Sequence, residues 1–358
     1  MNKNKIAVIG AGSGGLAFAT YFANKGASVN VYDNDILKIK TLKEKKEIKV
    51  SGVLDASINS LTFTDSIEEA INESKLIMVS IITNNIANVA KDMAPFLKPH
   101  QIIVLNPGHT FGAIEFVHII KQQGLKELPI VAEAQDLIFV CGLNNQYDLK
   151  INSIKKAMDI ATYNPNDVHE VIKVLSTYFT QFNPVENVWV TSLNNISSIL
   201  HAIPMLMNVS RIENGEDFKY YYEGITKAVA EIMDIVDQER LSIGHKLNVE
   251  LDSILTWMKK AYSTEGNTIY ECIQNNKAYS QIIGPKTLNH RFIFEDILSG
   301  LVPLSSMGHI LNINTKMIDI FIDLGCIISQ RNYREEGRTL EKIGLDQMNV
   351  DNIKRLFK

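Results

Sequence analysis

The stretch from Lys5 to Phe18 limits the possible folds more than any other part of the chain. Ile6, Ala7, Val8 and Ile9 form a short apolar, partly β-branched run, the composition of a strand covered by helices on both faces. The run stops at Gly10, and Gly10, Gly12 and Gly15 then follow the spacing GxGxxG. The first glycine allows a tight turn, the second lets the backbone approach a pyrophosphate, and the third lets helix pack close on strand. A helix starting there offers free N–H groups and a partial positive charge to phosphate, so Gly10, Gly12, Ser13, Gly14 and Gly15 are the expected dinucleotide-binding set. A second strand, Ser28-Val-Asn-Val-Tyr-Asp33, ends on a carboxylate about twenty residues after the glycines, where this fold places the acid that binds the adenosine ribose. Asp33 would repel a 2′-phosphate, so NAD is expected as the cofactor and NADP disfavoured.

A chain of 358 residues with 46% hydrophobic content supports two cores rather than one. The expected architecture is α/β plus all-α: a doubly wound Rossmann domain over residues 1–184, then a helical catalytic domain over 185–358. The net charge of −4, with no basic run interleaved with aromatics, argues against nucleic acid and leaves small molecules as partners. Cys141, Cys272 and Cys326 are widely spaced, with no paired Cys/His pattern, which predicts no metal site and a reducing, cytoplasmic location. No apolar run approaches the ~20 residues of a membrane helix, and no signal-peptide pattern precedes the first strand.

Strand and helix signals alternate onward from Asp33. Ile48 to Ile58 reads as a hairpin, and Lys75 to Ile82 as a buried strand whose carboxyl end, Ser80 to Asn84, should line the dinucleotide cleft. The strand Gln101 to Pro107 feeds a glycine-flanked loop in which Asn106 and His109 are placed to contact nicotinamide or substrate. Leu137 to Ala161 shifts to alternation, predicting antiparallel strands that finish the sheet. Asn183-Pro184 marks the expected domain boundary, and helical periodicity dominates beyond it.

The helix predicted over Ser192–Asn208 is apolar over more than one face and should be buried. Asn194, Ser198, His201, Met205 and Asn208 nevertheless advance by four, three, four and three, forming one narrow stripe. Polar groups on a buried face need partners, because each unpaired one costs ~1–3 kcal/mol. Pro204 removes an N–H beside His201 and predicts a kink. A second run, Gly284 to Pro303, crowds Asn289, His290, Arg291, Glu295 and Asp296. An arginine can grip a carboxylate with two N–H groups, and an aspartate can orient an imidazole.

These motifs resemble the opine dehydrogenases of the octopine and nopaline dehydrogenase type over nearly the whole chain. The resemblance rests on the glycine loop, on Asn106-Pro-Gly-His-Thr-Phe-Gly-Ala-Ile-Glu-Phe116 and on Ser192-Leu-Asn-Asn-Ile through His201 to Asn208. It continues in Tyr221-Tyr-Glu-Gly-Ile-Thr226 and in Gly284-Pro285 through His290-Arg-Phe to Glu295-Asp296. It implies NADH-dependent reductive condensation of an amino acid with an α-keto acid, with His201 as the catalytic histidine and Asp296 its partner. Arg291, Asn194, Asn208 and His109 are the expected substrate contacts, and a homodimer the expected assembly. The chain departs at Gln135-Asp136, where members commonly carry an arginine.

Two rivals fit the same glycine loop. Ketone-reducing dehydrogenases of the ketopantoate reductase and glycerol-phosphate dehydrogenase types place a lysine early in the second domain, yet no lysine occurs between Lys173 and Lys219. A non-catalytic NAD sensor would have no use for the polar stripe.

Overall fold

The structure, a computed structural model, describes residues 5–357. Their contacts divide into two compact units, the break falling between Thr191 and Ser192. The first unit is built on twelve strands: β1 Lys5–Ile9, β2 Ser28–Tyr32, β3 Ile48–Gly52, β4 Ala56–Ile58, β5 Leu61–Thr64 and β6 Leu76–Val79, then β7 Ile102–Leu105, β8 Ile130–Ala134, β9 Phe139–Leu143, β10 Leu149–Ile154, β11 Met158–Thr162 and β12 Phe182–Pro184. Eight of them form one sheet in the order β12-β11-β8-β7-β6-β1-β2-β5. All neighbours in it are parallel except β11, which runs antiparallel to β8.

The strand order reverses at β1, where the chain adds β2 on one side and later β6 on the other. A crevice opens at such a reversal, beyond the carboxyl ends of the strands. Ile9 pairs with both Tyr32 and Val79, so Gly10, Asp33 and Ser80 emerge side by side at that point. Ile6, Val8, Val29, Met78 and Val104 are 1% exposed or less, as strands covered on both faces require.

The antiparallel strands of residues 137–161 do not simply finish this sheet. Only β11 joins it; β9 and β10 leave to form a separate four-stranded sheet, β4-β3-β10-β9, with the 48–58 hairpin. The burial pattern gives the reason: in β10 Leu149 and Ile151 are buried while Lys150 and Asn152 are exposed, so the strand has one apolar face and is unsuited to a sheet covered on both. Asn183-Pro184 lies inside β12, parallel to β11.

The second unit is helical. Its longest helix, Lys227–Leu247, is capped by the Thr226 side chain, which accepts the Val229 N–H, and closes on Asn248 in the left-handed conformation. It packs against Ser197–Met207, as does the short helix Arg291–Asp296. Ile199, Ile203 and Met205 are fully buried at the centre of the unit, each stabilising it by about 1.5–3 kcal/mol. After Asp296 the chain makes a π-helical turn, Ile297–Leu301, before the α-helix Val302–Ile310. Among the described residues, no helix is long and apolar enough to cross a membrane, and no group of three His, Cys, Asp or Glu side chains is arranged to hold a metal ion.

Candidate active site

In the first unit, each glycine of the loop has its own physical reason. Gly10 has φ +103°, and a Cβ there would lie 2.4 Å from the Ser80 carbonyl oxygen. A Cβ on Gly15 would meet the Gly10 carbonyl oxygen at 1.8 Å, so the helix Ser13–Asn24 approaches its strand only because that carbon is missing. Gly12 faces open space instead, and no side chain caps the helix behind it, leaving the first N–H groups for an anion. Ser80 bonds Ile9 through its backbone N–H, and its hydroxyl lies where a Cβ on Gly14 would sit 2.6 Å away, so it supports the loop from beneath. The residues present therefore fit a pyrophosphate.

Asp33 is 8% exposed and held at both oxygens. Oδ2 accepts the Ala11 N–H at 2.8 Å and Oδ1 the Asp35 N–H at 3.0 Å, which ties the end of β2 to the glycine loop. Lys38 Nζ also donates to both oxygens, at 3.1 and 3.0 Å, a partner that no motif in the sequence announces. His109, in the left-handed region at φ 54°, is only 6% exposed, and its Nδ1 lies 3.2 Å from Thr83 Oγ1. At the departure noted after Glu133-Ala134, Asp136 pairs with Lys155, and the lysine together with nearby His109 holds its carboxyl below the usual range against the opposing effect of burial.

In the second unit, His201 Nδ1 lies 3.0 Å from Asp296 Oδ2. With the carboxylate accepting, Nδ1 carries the proton and Nε2 keeps its lone pair. Asp296 is buried, its side chain 2% exposed, whereas that of His201 is 15% exposed, so the imidazole is the accessible end of the pair. Two aromatic residues fix the histidine. Phe292 stacks on the imidazole at 3.9 Å and 13°, and the Tyr220 hydroxyl donates to the His201 carbonyl oxygen at 2.6 Å. Burial, reinforced by Tyr221 and Asp296, pushes the Tyr220 phenol well above its usual range and keeps it a donor.

The polar stripe does not survive as a ligand-facing surface. Helix Ser197–Met207 begins after a break at residues 194–196, so Asn194 is not on it; its Oδ1 accepts from Arg240 at 3.3 Å. Ser198 donates to the Asn195 carbonyl. Asn208 ends the helix and donates through Nδ2 to the Pro204 and Gly224 carbonyls, both at 2.8 Å, which leaves that amide no hydrogen for a substrate. Asn194 and Asn208, the expected substrate contacts, are thus each engaged in local hydrogen bonding, because a break and a cap need their polar groups satisfied. Arg291 fits better: its side chain is half exposed, and its ion pair with Glu295 is 3.7 Å long, so the guanidinium can take a carboxylate.

His290 stands edge-on to Phe292, and its Nδ1 accepts the Phe292 N–H. Burial, then the charges of Arg291 and His201, pull its pKa from 6.5 to about 4. The folded state thus binds this proton less readily than the unfolded chain. Stability from neutral His290 is complete above pH 6.5 and is lost as the pH falls towards 4. In urea unfolding at pH 7.5, 6 and 5, the wild type should lose more stability than His290→Gln; parallel losses would remove this account.

A glycine-rich loop at a strand reversal, followed in a helical unit by a carboxylate-held histidine, defines a dinucleotide-dependent dehydrogenase. The family described as NAD/NADP octopine/nopaline dehydrogenase, alpha-helical domain, matches residues 184–329, and the N-terminus of NAD-dependent glycerol-3-phosphate dehydrogenase matches 5–126. The chain is 37% identical to an opine dehydrogenase of Arthrobacter sp. (strain 1C), over 97% of each chain, and 22% identical to the protein ocs of Agrobacterium tumefaciens (strain Ach5), over 98% of each. It shares the fold of octopine dehydrogenase solved with NADH and L-arginine, at a TM-score of 0.81 and 15% identity, covering 99% of this chain and 98% of that one. The chain belongs to the opine dehydrogenase family. It is an NAD-dependent oxidoreductase that acts on CH–NH groups of small-molecule substrates.

Proposed function

We propose that the chain joins an amino acid to an α-keto acid in the cytoplasm, as a homodimer, with the first unit, up to Thr191, binding the cofactor and the helical unit from Ser192 carrying the catalytic dyad. The amine attacks the keto carbon, water leaves, and the resulting C=N bond is reduced to a secondary amine. Bound NADH supplies the hydride. His201 Nε2 first takes a proton from the substrate ammonium, freeing the amine to attack, and then returns it to the carbonyl-derived oxygen so that this leaves as water, while Asp296 holds Nδ1–H and so fixes the tautomer. Arg291 grips a substrate carboxylate, and His109, beside Thr83, is a further substrate contact. Gly10, Gly12, Ser13, Gly14 and Gly15 take the pyrophosphate, Ser80 supports them, and Asp33 takes the ribose.

The observation that carries this reading is the 3.0 Å contact between an accessible histidine and a buried aspartate. NADH oxidation measured over a matrix of amino acids and keto acids, each also alone, is the test. Keto acid without amine should turn over at less than about a hundredth of the paired rate, because the group to be reduced is an imine. Rapid reduction of a keto acid by itself would favour a hydroxyacid dehydrogenase instead.

A further inference from the structure

We infer that Lys38 sets how strictly this enzyme distinguishes dinucleotides with and without a phosphate on the adenosine 2′-oxygen. The inference rests on the dinucleotide reading of the glycine loop. In this fold a lone acid at the end of the second strand binds the ribose hydroxyl and turns a 2′-phosphate away, whereas a nearby basic side chain accommodates the phosphate. Here one residue of each kind is present, and they are in contact.

Asp33 cannot swing aside, because its two oxygens are fixed by the N–H groups of Ala11 and Asp35. Lys38 is the adjustable member. It stands in the first turn of the helix Ile36–Glu44, where its own backbone N–H is anchored on the Asp35 carboxylate at 3.0 Å. Its side chain is 25% exposed against 10% for Asp33, so the lysine is the more accessible member of the pair. An ammonium carries three donors on a flexible four-carbon stem, so two bonds to Asp33 leave one donor for a further anion.

Electrostatically, the pair is close to neutral where an unpaired Asp33 would carry a full negative charge. A 2′-phosphate arriving there meets the cation together with the acid, not the acid alone. A free 2′-hydroxyl is accepted at the position that Lys38 gives up when one of its two bonds to Asp33 opens, so NADH still finds its acceptor. The site therefore takes both cofactors with narrow discrimination, and the narrowing comes from Lys38.

Calorimetric titration of the cofactor-free protein with 5′-AMP and with 2′,5′-ADP reads this without turnover. The wild type should bind the two within about tenfold of each other. Lys38→Met should weaken 2′,5′-ADP by about tenfold or more while changing 5′-AMP less than about threefold. Lys38→Arg should retain 2′,5′-ADP, and Asp33→Asn should tighten it relative to 5′-AMP. Equal losses for both ligands in Lys38→Met would make the lysine a mere prop for Asp33, and an unchanged ratio would make it a bystander. Either result overturns the inference. Binding of neither fragment by the wild type removes the site itself, and since no substrate is present, every outcome is separate from the opine chemistry.

Discussion

His201→Gln should lower kcat by about 10²–10⁴-fold, the range for loss of a general acid or base, and leave NADH affinity nearly intact. Glutamine keeps much of the imidazole's shape and can still pack on Phe292, but it cannot carry a proton. Asp296→Asn should cost less, because it removes the charge and the tautomer control without removing the proton carrier. The double variant should be little worse than His201→Gln alone, since residues that act as a unit do not add. Steady-state kinetics with NADH fluorescence titrations, supported by circular dichroism, decide the matter. If both single variants retain near wild-type kcat, or if His201→Gln unfolds the protein, the dyad is structural and attention moves to His109 and His290.

The second large effect is on stability. Arg240 is completely buried, as is Asp237, its partner one helical turn earlier. The guanidinium donates to Asp237 Oδ1 at 2.8 Å, to the Leu193 carbonyl at 2.8 Å, to Asn194 Oδ1 at 3.3 Å and to the Asp252 carbonyl at 2.6 Å. Asp237 Oδ2 meanwhile accepts the Ile254 N–H. Arg240→Met would strand a buried carboxylate and expose three acceptors to apolar surroundings, a loss of about 3–5 kcal/mol. Removing the stranded charge as well, in Arg240→Met/Asp237→Leu, should recover part of that loss, though not the cap on Ile254. Urea unfolding of these two variants, of Asp237→Leu alone and of the wild type gives the cycle; a loss below about 1 kcal/mol for Arg240→Met would mean that water reaches the pair.

The parts of this protein legible in the sequence are those where local chemistry and tertiary role coincide. Gly10, Gly12 and Gly15 are demanded by backbone geometry at their own positions, so their spacing alone announces the turn, the helix and the ligand. His201 and Asp296 are separated by 95 residues, and it is the resemblance to a family, not spacing, that joins them. The stripe through Asn194 and Asn208 is a weaker guide, because helical periodicity assumes an unbroken helix, and the helix breaks at residues 194–196, where Arg240, distant in sequence, bonds the Leu193 carbonyl and the Asn194 side chain. Tyr220 and Lys38 carry no motif at all, and Phe292 enters only as the last residue of His290-Arg-Phe, with no sign there of what it packs on. An aromatic next to an arginine, or a lysine in a charged helix, is ordinary in sequence, and only the folded chain shows what each one touches. The second sheet was within reach, since the one-faced alternation of Leu149 and Ile151 already excluded a place in the covered sheet.

The π-helical turn at Ile297–Leu301 has a consequence for chain length. Such a turn holds about one residue more than an α-turn. On its near side Asp296 meets His201; on its far side Gly300 packs so tightly against the same helix that a Cβ would lie 2.3 Å from that of Ser198. Deleting any one residue from this stretch would let an ordinary α-turn form, rotating one side against the other by about 100°. Either the aspartate or the glycine could then keep its neighbour, but not both. Such a deletion could spare both members of the dyad and still separate them, so across these five buried residues the number is fixed as firmly as the composition.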